Sequence, residues 1–285
     1  MTTTTAPPNA SERVIRERIT LRDVVVDTAV IARRNLVRVV RLPQLLLFAT
    51  VQPVMFLVLF NFVFGGAISE SLPTVDADHY IVFLLPGLMV QIATFGAGQT
   101  ALGLIEDLNN GVVDRIRSLP MARSAVLAGR TLADLVRNAA VLSLMLGIAF
   151  LLGFRWQTSL WLFLAGFGLG LLFSYALSWI MASIGLSVRN PEAAQTAVML
   201  PMFPFVFASA VFIPTHTMPG WLQAFANNQP ITIVANAMRG LMVGEELLPA
   251  GQTVGGQVLA ALAWILGIII VFAPLAVRRY RRVVL

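Results

Sequence analysis

The 285-residue sequence contains neither cysteine nor lysine. Without cysteine there is no disulfide, no thiol nucleophile and no cysteine-ligated metal. Without lysine there is no Gly-Lys-Ser/Thr phosphate loop, because that loop needs an ammonium group to reach the phosphates. The chain therefore cannot be a Walker-type ATPase on its own. All twenty basic residues are arginine, which reads as the codon bias of a GC-rich genome. Histidine is nearly as scarce: His79 and His216 stand in no HExxH pairing and read as solvated loop residues. No nucleophile–base pair is visible, so no catalytic residue and no metal site is assigned.

What is present is apolar. Hydrophobic residues make up 58% of the chain and charged ones 12%, with a mean hydropathy of +0.81. A soluble domain of this size needs more polar surface than that. Several runs of roughly 20 apolar residues match the length that crosses a bilayer at about 1.5 Å per residue. The expected fold is all-α integral membrane. Six transmembrane helices are expected at about 45–64, 81–105, 139–154, 160–188, 196–213 and 254–277. Residues 1–19, polar and rich in Thr and Pro, read as a disordered tail. Residues 20–42 read as an amphipathic interfacial helix. Leu21, Val25, Thr28, Ala32, Leu36 and Val39 form one stripe, and Arg34, Arg38 and Arg41 another. Such a helix either lies in the headgroup plane or is only the basic flank of the next span.

The arginines set the orientation, since positive charge favours the cytoplasmic side. The amino-terminal segment, the 106–137 loop, the 189–195 loop and the 278–285 tail hold eight, five, one and four of them. Only Arg155 and Arg239 fall elsewhere. Both termini are therefore expected on the cytoplasmic face of the cell membrane. The net charge of +6 follows from this topology and calls for no nucleic acid. Residues 214–252 then form an outer segment containing "NNQPITIVANAMRGLMVG". A seventh span there would place an arginine in hydrocarbon, at about 2.5–3.5 kcal/mol, and would send "RRYRR" outside. The better reading is a short helix from Pro230 to Val243, about 20 Å long, dipping into or lying on the outer leaflet. The central depth of the expected spans holds no Asp, Glu, Lys or Arg. That argues against a self-contained proton-coupled transporter.

The 106–137 loop is more structured than topology alone requires. Asn109-Asn110-Gly111 is a strong helix stop. Val112, Val113, Asp114, Arg115, Ile116, Arg117 and Ser118 make one or two helical turns, ended by Leu119-Pro120. Ser124 then caps a further helix. This mixed charged and apolar surface suits docking of a soluble partner. A loop that merely enforces topology is the other reading.

The stretch "DLNNGVVDRIRSLPMARSAVLAGRTLADLVRN" resembles the corresponding loop of type 2 ABC exporter membrane subunits, in particular the daunorubicin-resistance permease group. There a glycine, Asp-Arg, an apolar residue and Arg/Lys-Ser-Leu-Pro-Met recur before "AVLAGR". "NNQPITIVANAMRGLMVG" resembles that group's Asn-Gln/Pro-Pro segment and the helix after it. The resemblance covers the span layout of essentially the whole chain. It implies a six-span half-transporter, embedded among membrane lipids, that pairs with a second copy of itself. It also implies two copies of a cytoplasmic ABC ATPase subunit, with ATP and Mg on that partner and no cofactor in this chain. Val112 to Ser118 would be the coupling helix that fits a groove in the ATPase, with Leu119 and Pro120 completing the coupling segment. The outer helix, with Asn228, Gln229, Pro230 and Arg239, would help close the exit.

Family geometry further places the second and fifth spans along the route. Gln91, Phe95 and Gln99 share a face at four-residue steps, and Met199, Met202, Phe203, Val206 and Phe207 form a soft aromatic stripe. Met and Phe adapt to flat hydrophobic molecules, although the same residues equally fit helix packing or lipid contact. The resulting expectation is ATP-driven export of a hydrophobic drug, polyketide or lipid-like molecule. A passive channel or regulatory membrane protein without an ATPase is the alternative.

Overall fold

In hydrocarbon a chain must satisfy its backbone internally, so apolar runs of this length fold as helices. The computed structural model describes residues 21–41, 43–69, 80–111, 123–188 and 190–283, and among them there is no strand. In chain order the helices are α1 (Leu21–Arg41), α2 (Pro43–Val58), α3 (Gly65–Ser69), α4 (Tyr80–Asn109) and α5 (Arg123–Leu151). They continue with α6 (Leu160–Gly185), α7 (Pro191–Phe207), α8 (Gly220–Asn228), α9 (Pro230–Met242) and α10 (Val254–Val283). A wider π-helical turn, Leu59–Phe64, joins α2 to α3 without a break.

Among the described residues, four helical stretches are long and apolar enough to cross a membrane: Tyr80–Asn109, Leu127–Leu151, Leu160–Gly185 and Val254–Tyr280. Ala49–Phe64 is a shorter apolar helix, and α7 has 17 residues.

The centre of the bundle is α4, buried at nearly every position from Tyr80 to Ile105. It packs against α5, α6, α7 and α9. Small residues let these helices approach, as membrane packing requires. Gly185 of α6 sits on the backbone of Ala101, and Gly98 faces Val198 and Met202 of α7. Gly129 of α5 receives Ile31 and the Thr28 carbonyl of α1. The short helix α9 lies against α4, α6 and α10, with Gly166 and Gly170 of α6 facing its residues Met238, Leu241 and Met242.

The helix ends follow local chemistry. Gly111, at φ +66°, closes α4 in the left-handed region that glycine enters without strain. The Ser159 hydroxyl accepts from Leu162 N at 3.4 Å and starts α6. Asn190 caps α7 by accepting from Ala193 N at 2.7 Å, with Pro191 in the first turn.

Several boundaries differ from the sequence reading. The helix expected to start near Ser124 begins at Arg123 and runs unbroken into the third expected span as α5, ending at Leu151 rather than Phe154. Helix α6 ends at Gly185 instead of 188. The stretch expected to span 196–213 is helical over 191–207, and Ala208 leaves helical geometry at ψ 36°. Pro201 and Pro204 each remove a backbone hydrogen bond from the last turns of this helix. The final helix runs on to Val283 through "RRYRR". On α1, Val25 is 67% exposed; the buried residues are Ile31, Ala32 and Asn35, which face α5. The helix α8 lies in a segment for which no helix was expected.

Candidate functional site

Residues 112–120, the expected coupling segment with its helix over 112–118, lie outside the described residues. The helices on either side of them are joined by ion pairs. Asp107, near the end of α4, meets Arg34 of α1 at 3.1 Å and Arg130 of α5 at 3.4 Å. Arg130 also pairs with Asp134 at 3.2 Å, and Thr100 of α4 donates to the same carboxylate oxygen at 2.8 Å. Gly103 makes room for this group, because a Cβ there would collide with the Arg130 guanidinium. One turn further into α5, Arg137 donates to the Gly96 carbonyl at 2.8 Å and Asn138 to Ser174 Oγ of α6 at 2.5 Å. The sequence reading counted these arginines only as topological charge. The i,i+4 spacing of Arg130 and Asp134 was the available signal.

The expected route residues divide between two environments. Gln91 is buried in α4, and its Oε1 has no hydrogen-bond partner among the described residues. Phe95 is half-buried against Phe203 of α7, with ring centroids 5.5 Å apart, and Gln99 is exposed. On α7, Met202 and Val206 are buried. Met199 and Phe203 instead line an open groove of about 720 Å³ with Glu192, Gln195, Thr196, Leu200 and Pro204. Phe203 stacks on Phe207 at 5.5 Å and 7°, and both rings stay substantially exposed.

Arg239, expected on a helix that dips into or lies on the outer leaflet, is completely buried in the bundle. Its Nε donates to the Phe83 carbonyl at 2.9 Å, and its terminal nitrogens reach Asn236 Oδ1 (3.0 Å), Ala210 O (2.5 Å) and Val211 O (3.1 Å). The guanidinium also lies 3.7 Å from the Phe83 ring centroid, within cation–π range. Burial pushes its pKa below the ordinary arginine range, while oxygen acceptors on several sides favour the charged form. Gln229 donates to the Ala208 carbonyl at 2.5 Å, Pro230 opens α9, and exposed Asn228 bonds the Ala224 carbonyl at 2.8 Å.

The profile of the ABC-2 type transporter matches residues 27–243. The chain belongs to the ABC-2 type transporter family. It is thus the membrane permease subunit of an ABC exporter and not itself a catalyst.

The permease is 35% identical over 239 residues to the daunorubicin resistance ABC transporter permease protein DrrB1 of Streptomyces coeruleorubidus, covering 84% of this chain and 80% of the relative. It is 28% identical over 235 residues to the probable doxorubicin resistance ABC transporter permease protein DrrC of Mycobacterium tuberculosis, covering 82% and 80%. A putative transport permease, ycf38, of Porphyra purpurea is 22% identical over 219 residues, covering 76% and 74%. The family match begins within α1 and closes just after α9. It therefore takes in the ion-paired cluster and the Arg239 site.

Proposed function

We propose that this permease acts as one half of a homodimeric, ATP-driven exporter of flat hydrophobic molecules. The six crossings are the 43–69 rod, α4, α5, α6, α7 with the turn after it, and α10. Both termini lie on the cytoplasmic side of the plasma membrane of a GC-rich bacterium. The arginine asymmetry supports this orientation. So do the exposed Trp156, Trp161 and Trp221, which suit the opposite headgroup layer.

Two copies of a separate ATPase, carrying ATP and Mg, dock on residues 112–120. Their closure moves α4 and α5, and a cytoplasm-facing state gives way to an outward-opening one. The observation that carries the substrate reading is the open groove on α7. Its Met199, Leu200 and Phe203 wall continues through Phe203 to Phe95, next to buried Gln91. A second copy packed against this face encloses the groove as a shared path. Methionine and phenylalanine there favour aromatic or lipid-like cargo, with Gln91 and Gln99 as polar contacts.

The test uses the permease co-expressed and purified with its ATPase, in inside-out vesicles. ATP is expected to drive accumulation of doxorubicin, the compound in a relative's name. Failure to recruit an ATPase, or vesicles indifferent to ATP, would falsify the reading.

A further inference from the structure

Residues 208–212 leave helical geometry inside the bundle, where their backbone groups need partners from elsewhere. Ala208 N and Val211 N find the Pro204 carbonyl and Ser209 Oγ nearby, and the side chains of Gln229, α9 and α4 supply further partners. Gln229 donates to Ala208 O, Thr232 Oγ1 accepts from Ala210 N at 3.0 Å, and Arg239 donates to both Ala210 O and Val211 O. From α4, the Tyr80 hydroxyl donates to Phe212 O at 2.5 Å. Arg239 ties the same assembly to α4 through Phe83 O. Gly87 permits the approach, since a Cβ there would strike the Val211 carbonyl and the guanidinium. The far end of α9 is held as well, because Gln157 N and Thr158 Oγ1 donate to the Met242 and Leu241 carbonyls.

The other side of the turn meets the 43–69 rod through phenylalanine rings, Phe56 of α2 and Phe60 of the π-helical turn after it. Phe212 stacks on Phe60 at 4.5 Å and 19° and lies edge-on to Phe56 at 5.8 Å. Phe207, at the end of α7, is edge-on to Phe56 at 6.4 Å and 5.3 Å from Phe212. These two boundaries differ in what separation does. Pulling α9 from the turn strands buried carbonyls and a guanidinium without partners, which is heavily penalised. Sliding one phenylalanine ring off another leaves no polar group unpaired.

We infer that α9, the 208–212 turn and the Tyr80 end of α4 form one clasped unit. The outer end of the permease opens by parting the phenylalanine seam between the 43–69 rod and that unit. Arg239 and Gln229, which hold three carbonyls of the turn, are thus positioning residues for transport, acting through it. The inference rests on the exporter reading above, and its test separates the two.

The chain has no native cysteine, so introduced pairs are unambiguous. Phe60→Cys with Phe212→Cys spans the seam, and Ala210→Cys with Thr232→Cys lies within the clasp. Phe56→Cys with Phe207→Cys is a second seam pair should the first fail to fold. Each permease–ATPase complex is reconstituted and bridged with a short reducible dithiol linker. Doxorubicin uptake is then measured before and after reduction. Bridging the seam is expected to stop transport, with recovery on reduction, and bridging the clasp to leave it running. Transport that survives the seam bridge, or stops with the clasp bridge, overturns the inference.

If the cysteine-free parent moves no doxorubicin, the cargo reading fails, and the seam is judged on distance alone. Spin labels at 60 and 212 should separate with ATP, Mg and vanadate while labels at 210 and 232 stay fixed. The reverse pattern, or two fixed distances, rejects the seam.

Discussion

Arg239 is held by backbone and amide oxygens and by an aromatic face inside a bundle of apolar helices. Replacing it with methionine keeps the volume but leaves the carbonyls of Phe83, Ala210 and Val211 without this donor. Each unsatisfied buried acceptor costs about 1–3 kcal/mol. Arg239→Met should therefore lower stability by roughly 3 kcal/mol or more, seen as a clear drop in melting temperature in detergent. Arg239→Lys keeps the charge but loses the planar fork, and should fall between the two; a lysine variant no better than methionine would show that charge is not what matters there. Gly103 offers a second check at the same scale. Gly103→Ala should be destabilising because the Arg130 guanidinium occupies that space. The control Gly147→Ala, at an exposed helical position with open space around it, should be neutral or slightly stabilising. Equal melting temperatures for the two alanine variants would remove the steric argument.

At the scale of elements, α1, α4 and α5 are joined at the base of the 112–120 segment by Arg34, Asp107, Arg130 and Asp134. Partly buried ion pairs that share partners resist separation more than isolated surface pairs do. On the proposed coupling role, motion entering at 112–120 would be passed to three helices together. Arg115→Glu with Arg117→Glu should leave insertion intact, because Arg123, Arg130 and Arg137 still mark that side. The double variant should uncouple ATP hydrolysis from transport. A pull-down of the ATPase and a transport assay on the same preparation check this; wild-type transport would take both arginines out of the coupling role. The aromatic seam and the clasp around α9 are likewise properties of elements, since each joins residues distant in sequence.

For the whole molecule, orientation is the exposed claim, and the absence of cysteine makes it easy to measure. A single Thr217→Cys, in the exposed segment before α8, should react with a membrane-impermeant maleimide on intact cells. Arg282→Cys, exposed near the end of α10, should react only after lysis. Labelling in the opposite order would invert the topology and move the 112–120 segment away from any cytoplasmic ATPase.

Much of this architecture is legible in residue order. Apolar runs long enough for a bilayer, arginine crowded onto alternate loops, and the Asn-Asn-Gly and Asn-Gln-Pro signals are local features. So is the missing lysine, which by itself excludes a built-in Walker ATPase. Arg155 and Arg239, the two arginines outside the topological pattern, show where local reading stopped. Arg155 donates to the carbonyls of Phe150 and Phe154 at the end of α5, and Arg239 fastens a turn of another segment. Sequence marked both as exceptions and could not name their acceptors, because Phe83 and Ala210 are 156 and 29 residues away from Arg239.

The fifth expected span fared similarly. Its hydrophobicity continues to Ile213, but the helix ends at Phe207. Hydropathy measures the affinity of side chains for lipid, whereas the end of a helix depends on what else can satisfy the backbone. The sequence alone determined that the chain is built of apolar helices long enough to cross a membrane. Only the tertiary structure decided which buried backbone groups depart from helical pairing, since that requires donors from other helices to arrive in place.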